Sequence, residues 1–355
     1  MNVRAFLSWL LIWLFTATTA FSQGFAGLGT ASEGFDMPMP NKPLIFPDDH
    51  GAHAGYRIEW WYVTANLKGA DGNDYGVQWT LFRTSLSPAG GIGWSTPQLW
   101  MGHAAVTTAT SNHVAERLAR GGIGQAGVSL APFSAWVDNW QLEGRSAGSS
   151  DVISNLEMTA NGNDFSYALK LNAKGPIVLQ GDQGYSVKSP RGQASYYYSQ
   201  PFYDVAGTLN LPEGVVEVTG KAWLDHEWSS QPLAEDQTGW DWFSLHFESG
   251  AKLMGFRLRD SGAGYTAATW IGADGKPEAQ KPNALKVTPL ETATISGRKI
   301  PVSWRVELPA HNVDVTTKPL NPNAWMGTQI PYWEGPVSFD GSQKGNGYVE
   351  MTGYE

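Results

Sequence analysis

One short segment of this 355-residue chain combines acidic and aromatic side chains in a pattern that could support chemistry. If the segment from Trp223 to Trp228 is extended, Trp223, Asp225 and Glu227 share one face, because side chains alternate along a strand. A carboxylic acid in an apolar cavity has a raised pKa, and tryptophan rings stabilise cations. Adding water to an isolated double bond requires both properties. The pattern predicts Asp225 as a general acid, with His226 and Glu227 as further candidate catalytic residues.

The same residues also have a structural interpretation. Asp225 and Glu227 could belong to a buried hydrogen-bond network at a domain junction, since buried ionic groups frequently hold two parts of a fold together. Glu59, which precedes Trp60 and Trp61, has a similar ambiguity. Its preferred role is to accept hydrogen bonds from backbone N–H groups at the mouth of a barrel.

Metal and nucleophilic chemistry are not favoured. His103, His226 and His246 could in principle form a zinc site, but no two of them have a close ligand spacing such as His-x-His. The chain also offers no strand-to-helix turn on which a Gly-x-Ser-x-Gly nucleophile elbow would work. We therefore predict neither a metal nor another cofactor.

The residues around these motifs indicate β-structure. Short runs rich in apolar and aromatic residues are separated by Gly, Asn and Asp turns, as at Asp71-Gly72, Asn161-Gly162 and Asp274-Gly275. No stretch has a helical period over three turns. Antiparallel hairpins in series, without crossover helices, predict an all-β fold of up-and-down barrels.

A weak internal sequence repeat suggests two related barrels. In each half, an aromatic-rich run precedes a run rich in Leu, Phe and Arg. Two successive barrels, the second opening near Gly239, are the simplest explanation. The predicted organisation is a signal peptide (1–22), an extended segment (23–50), a first domain (51–231) and a second domain (232–355). The first copy of the repeat comprises residues 60–63 and 77–83, and the second comprises residues 240–243 and 253–259.

The N-terminal residues have the features of a signal peptide. Arg4 is followed by an uncharged apolar stretch, residues 5–15, and then by small residues up to Ser22. The stretch is short for a membrane span, with an uncleaved anchor as the alternative. We expect a periplasmic or secreted protein, and because the chain has no cysteine, packing alone must stabilise it.

Cleavage of this peptide predicts a defined N-terminus. Protein recovered from a periplasmic fraction is expected to begin at Phe21 or Gln23, because Ala20 and Ser22 are small residues of the kind found at cleavage sites. N-terminal sequencing tests this expectation, and an intact Met1 would contradict it.

Composition excludes one class of partner. The net charge of −9 provides no electrostatic footprint for nucleic acid. Seventeen tryptophans are instead consistent with aromatic cores and apolar sites. The predicted partner is an apolar small molecule or lipid.

Six motifs in order carry a family resemblance. They are residues 59–62, 102–104, 195–199, 223–228, 332–335 and 347–354. Together they resemble the hydroxyneurosporene synthase (carotenoid 1,2-hydratase) and AttH-like family. The resemblance implies two tandem lipocalin-like barrels around an apolar ligand, and Asp225 falls where the family's proposed catalytic aspartate would lie. The predicted ligand-binding residues are Glu59, Trp60, Trp61, Tyr62, His103, Tyr197, Trp223, Trp228, Trp240, Trp242, His246, Tyr332, Trp333 and Glu334.

Two functions remain open at this point. The first is a hydro-lyase or isomerase acting on a polyene or isoprenoid lipid. The second is a non-enzymatic lipid carrier or envelope factor that serves a membrane transporter, which export favours. In either case we expect Asp225 at the wall of an aromatic cavity near the domain junction, close to residues 59–62 or 332–334.

Overall fold

A computed structural model describes residues 32–145, 151–231 and 233–354. The predicted signal peptide and the first part of the predicted extended segment lie outside these residues. The protein is all-β, as predicted, with a nearly closed barrel and a half-barrel sheet. Helix is confined in the described ranges to 3₁₀ turns at Asp48–His50, Gly93–Ser95 and Pro309–His311.

The first sheet forms the nearly closed barrel. Its order is β4-β3-β2-β1-β13-β12-β9-β8-β7-β6-β5, with β10 and β11 also paired to β12. Within the described residues its strands are β1 (Ile58–Gly69), β2 (Asp74–Ser85), β3 (Gln98–Thr107), β4 (Asn112–Arg120), β5 (Ala126–Leu130), β6 (Phe133–Val137), β7 (Trp140–Gly144), β8 (Asn155–Asn161), β9 (Ser166–Ala173), β10 (Val178–Leu179), β11 (Tyr185–Val187), β12 (Ala194–Leu211) and β13 (Gly214–Ser229).

The second sheet forms the half-barrel. Its order is β17-β16-β15-β14-β23-β22-β20-β19-β18, with β21 also paired to β22. Its strands, again for the part of the chain that the structure describes, are β14 (Gly239–Phe247), β15 (Lys252–Arg259), β16 (Tyr265–Ile271), β17 (Pro277–Ala279), β18 (Lys286–Ile295), β19 (Arg298–Leu308), β20 (Val313–Pro319), β21 (Trp325–Met326), β22 (Tyr332–Gly341) and β23 (Gly345–Thr352).

The internal sequence repeat corresponds to two equivalent hairpins. Strand β1 is hydrogen-bonded to β2 and to β13, the last strand of its sheet, and β14 is likewise bonded to β15 and to β23. An acid on the first strand faces an arginine on the second in both hairpins: Glu59 lies opposite Arg83, and Asp241 lies opposite Arg257. In each sheet, the first strand of the chain order is therefore hydrogen-bonded to the second and to the last, and it carries an acid opposite an arginine.

Four apolar clusters of the described residues hold the molecule together, the smallest being Ala105, Met326 and Tyr332 between the two sheets. One fills the interior of the first sheet, and a second packs on the inner face of the second sheet around Trp304 and Trp333. The third cluster includes Trp223, Trp242 and Met254 and joins the two sheets. Strands β1 and β14 and the second half of β13, residues 222–229, are buried on both faces for this reason, and simple polar–apolar alternation is lost along them.

No helix in the described part of the chain is long and apolar enough to cross a membrane.

Candidate functional site

Neighbouring strands of both sheets build a cavity at their junction. On β1 and β13, Tyr62 lies directly opposite Asp225 and Trp60 lies opposite Glu227, so alternate residues of both strands face the second sheet. The cavity lies between the two sheets and has a volume of about 120 Å³. Predicted site residues that line it are Trp60, Tyr62, Tyr197, Asp225, Glu227, Trp240 and Trp242.

The Asp225 carboxyl has three hydrogen-bond donors. Trp223 Nε1 and Ser199 Oγ donate to Oδ1 at 2.6 and 2.5 Å, and Tyr197 Oη donates to Oδ2 at 2.6 Å. Only 2% of the residue is exposed. Burial raises the pKa of Asp225 from 3.8 to about 7, although the three hydrogen bonds act to lower it. The group can therefore hold a proton near neutral pH.

Tyr197 stands beside this carboxyl. Its hydroxyl accepts a hydrogen bond from Trp242 Nε1 at 3.1 Å while donating to Asp225. A protonated Asp225 can donate to Tyr197 Oη instead, because a hydroxyl accepts two hydrogen bonds. The Asp225 carboxyl thus keeps Tyr197 Oη as a hydrogen-bond partner in either protonation state.

A second carboxyl lies on the opposite wall. Glu350, on β23, lines the cavity and accepts a hydrogen bond from Trp240 Nε1 at 2.8 Å. Burial raises the pKa of Glu350 to about 7, with Asp225 and Glu227 acting in the same direction and the Trp240 bond opposing them. The site therefore contains two carboxyl groups that can exchange protons near neutral pH.

The third acid of the cavity is neutralised by a cation. Lys188 Nζ lies 2.7 Å from Glu227 Oε1, which also accepts a hydrogen bond from Ser195 Oγ. The Lys188 ammonium lies 4.7 Å from the centre of the Tyr197 ring and 4.6 Å from that of Phe256. These contacts make Glu227 a salt-bridged group, whereas Asp225 has no cationic partner among the described residues.

Sequence reasoning missed Lys188, Ser199 and Glu350 as site residues. Glu350 did carry a usable signal, because it is a single acid between Val349 and Met351 within the motif of residues 347–354. An ionisable group in such a run either points to solvent or marks a site. Ser199 lies at the end of the motif of residues 195–199, but a serine there gave no sign of a contact with Asp225, and Lys188 stands among ordinary polar residues.

The other face of β13 carries a separate polar network. Glu59 is fully buried inside the first sheet and binds Arg83 Nε, His226 Nε2 and His53 Nδ1 at 2.7, 2.9 and 2.6 Å. Burial acts to raise the pKa of Glu59, but Arg83 and His53 hold it well below its usual range. Glu59 and His226 therefore face away from the cavity, and Glu59 also accepts the backbone N–H of His53.

His53, Glu59 and His226 are close enough together to bind a metal ion. Two imidazoles and one carboxylate can form a metal site, but in this structure Glu59 is already paired with Arg83 at 2.7 Å. Burial acts to lower the pKa of His53, but Glu59 and Asp49 raise it to about 9, so its ring is protonated. In this structure the three side chains and Arg83 form an ion network.

The remaining predicted residues occupy several positions around the site. Trp61 and Trp228 pack inside the first sheet, and Trp333 packs in the core of the second. His103 binds Tyr332 Oη at 3.0 Å, away from the cavity. Glu334 accepts a 2.5 Å hydrogen bond from Tyr62 and so lies behind the cavity wall. His246 packs edge-on against Trp223 at the far end of the junction.

The raised pKa of Asp225 predicts a pH-dependent effect on stability. The folded state binds the Asp225 proton more tightly than the unfolded state does, so protonation of Asp225 stabilises the folded protein. This contribution to the unfolding free energy is fully present below about pH 4 and is lost as pH rises through about 7. Asparagine does not titrate, so the Asp225→Asn variant does not lose this stability as pH rises. From about pH 5 to about pH 8, the unfolding free energy of the variant relative to wild type should therefore rise by about 3 kcal/mol.

Urea denaturation of both proteins across this pH range measures the difference, with Asp74→Asn, an exposed position, as a control for general charge effects. A difference that stays constant with pH would mean that Asp225 remains ionised and acts as a structural hydrogen-bond acceptor.

The fold and the cavity define a β-barrel protein with an aromatic, acid-containing site between two sheets. Residues 37–354 match the model of the AttH-like family, and the chain belongs to that family. A candidate AttH protein from Nitrosomonas europaea is 32% identical, with a TM-score of 0.79 over 90% of this chain and 100% of that one.

Two further structures share the fold at low identity. Kievitone hydratase from Nectria haematococca is 16% identical, with a TM-score of 0.67 over 91% of this chain and 97% of that one. CghA, in a structure with Sch210972, is 12% identical, with a TM-score of 0.54 over 92% and 98%. No match was found among curated proteins.

Proposed function

We propose that this protein adds water to a carbon–carbon double bond of an apolar, isoprenoid-type ligand, with Asp225 as the general acid. The observation that carries the proposal is a buried carboxyl, with a pKa near 7 and no cationic partner among the described residues, at the wall of a tryptophan-lined cavity. The fold shared with a protein named as a hydratase supports the same reaction class.

The proposed reaction balances with the groups present. The Asp225 proton is transferred to one alkene carbon, where the π electrons form the new C–H bond and leave a cation on the other carbon. Trp60, Trp240 and Trp242 surround this cation with aromatic rings. Water adds through its oxygen, and its excess proton passes to Glu350 or back to Asp225.

The volume of the cavity limits what it encloses. An apolar cavity of about 150 Å³ in another protein holds a benzene molecule, so about 120 Å³ suits a single five-carbon unit. We therefore propose that the terminal unit of the ligand enters the cavity and that the rest of the molecule lies outside it. Such binding would accept different ligand bodies that carry the same end group.

Hydration in heavy-oxygen water tests the proposal. Purified protein is incubated with a panel of water-soluble isoprenoids bearing a terminal trisubstituted double bond, and products are analysed by mass spectrometry. We expect a product that has gained one water carrying the heavy oxygen. Quenching of tryptophan fluorescence reports binding independently. Compounds that bind but are never hydrated would overturn the hydratase proposal and favour a carrier.

A further inference from the structure

The junction between the two sheets opens a second time, beyond the cavity. Strands that line the cavity continue past it, among them β1 to Asn66 and Lys68, β13 to Lys221, and β14 to His246. Together with Lys252 on β15 they line a groove of about 840 Å³, here called the lysine groove. The buried residues Trp223, Ser244 and Met254 lie between the two sites along β13, β14 and β15.

Positive charge dominates this groove, although the whole chain is acidic. Four lysines line it, at positions 68, 174, 221 and 252, against two acids, Asp74 and Glu248. Asp74 is paired with Lys68 at 3.0 Å, Lys221 is paired with Asp204 beside the groove, and Glu248 is exposed. The groove therefore has more positive than negative groups available to a ligand.

Lys252 is the lysine of the groove whose buried ammonium group most requires an anionic partner. Only 8% of it is exposed, yet no carboxylate of the described ranges pairs with its ammonium. Its contacts are the Gly250 carbonyl at 3.4 Å and the ring of Phe202, 4.5 Å from Nζ to the ring centre. A lysine this buried is ordinarily paired, because removing an ammonium group from water is costly.

The neighbouring side chains increase the positive potential at this position. Burial and the nearby Lys221 lower the pKa of Lys252 to about 8. Burial also lowers the pKa of His246 to about 3, and Lys252 and Lys221 act in the same direction. The imidazole of His246 makes no hydrogen bond to another residue that the structure describes. It is a neutral ring with a free N–H donor beside two cations.

We propose that the lysine groove binds a carboxylate or phosphate group, held by the Lys252 ammonium with Lys221 and His246 beside it. An oxyanion would supply the acceptors that the buried ammonium lacks. The groove also has apolar walls, formed by Leu67, Tyr75, Phe202, Phe247 and Val337, which suit an apolar body attached to the anion. The proposal is independent of the reaction proposed at Asp225.

Isothermal titration at constant ionic strength tests this site with three probes: inorganic phosphate, decanoate and decanol. Wild-type protein is expected to bind phosphate, decanoate or both. Lys252→Met should weaken that binding at least about 10-fold, as expected for a lost charge-assisted hydrogen bond. Lys252→Arg should retain most of it, and Lys299→Met, which removes an exposed charge outside the groove, should change it less than about twofold.

The pattern of binding distinguishes the source of the anion. Binding of phosphate alone indicates a free oxyanion, and binding of decanoate alone indicates an anion carried on an apolar body. If Lys252→Met fails to fold, Lys221→Met, at an exposed position, is expected to weaken binding in the same direction. The proposal would be overturned if neither phosphate nor decanoate binds the wild-type protein, or if folded Lys252→Met binds them as tightly as wild type. Asp225→Asn should leave anion binding unchanged, which separates this site from the cavity.

Discussion

Replacing Asp225 with asparagine is expected to lower the hydration rate by about 10²- to 10⁴-fold, the usual contribution of a general acid. Asparagine can keep the geometry of the site: its oxygen accepts from Trp223 and Ser199, and its amide donates to Tyr197. The variant reproduces the hydrogen bonds of protonated Asp225 but has no transferable proton. Ligand affinity should therefore change little.

Turnover by mass spectrometry and affinity by fluorescence quenching separate these two effects. The wild-type rate should fall as pH rises above about 7, because the acid form of Asp225 is then lost. Asp74→Asn, outside the cavity, is the matched control and should retain the wild-type rate. Retained activity in Asp225→Asn would exclude Asp225 as the acid.

Replacing Arg83 with methionine is expected to destabilise the protein by about 3–5 kcal/mol. Arg83 and Glu59 are 1% and 0% exposed, and their side chains are paired at 2.7 Å. Methionine retains much of the volume but leaves Glu59 as a buried carboxylate without its main cationic partner. Arg83 also donates to Gln98 and to the carbonyls of His53 and Tyr56, and these bonds are lost as well.

The same hairpin provides a control for this variant. Lys68 and Asp74 are paired at 3.0 Å on β1 and β2, but their side chains are 58% and 64% exposed. Lys68→Met should therefore change the unfolding free energy by less than about 1 kcal/mol. Urea denaturation measures both variants, and comparable effects would show that burial does not set the strength of the Glu59–Arg83 pair.

Much of the local geometry could be predicted from the residue order. Side chains alternate along any strand, so Asp225 and Glu227 had to lie on one face of β13 and His226 on the other, as the pairing of β13 with β1 shows. The hairpin turn at Gly72 was also predictable, since its φ of 84° is readily adopted by glycine.

Other local features depended on neighbours that the sequence does not reveal. The aromatic and apolar residues of the segment 136–143 predict one continuous strand, but in the structure a turn at Asp138, whose φ is 51°, divides the segment between β6 and β7. Asparagine and aspartate tolerate this left-handed conformation, so the composition of the run did not exclude a turn there.

The sequence by itself determined the all-β class, the two matching hairpins and the opposite orientations of Asp225 and His226, because these follow from short-range periodicity and turn chemistry. Only the tertiary structure decided which face of β13 meets the cavity. Over residues 222–229 both faces of that strand are buried, one in the first core and one against the second sheet, so hydrophobicity could not distinguish them. It also decided that Glu350, 125 positions after Asp225 in the chain, shares its cavity, because that proximity comes from the packing of one sheet on the other.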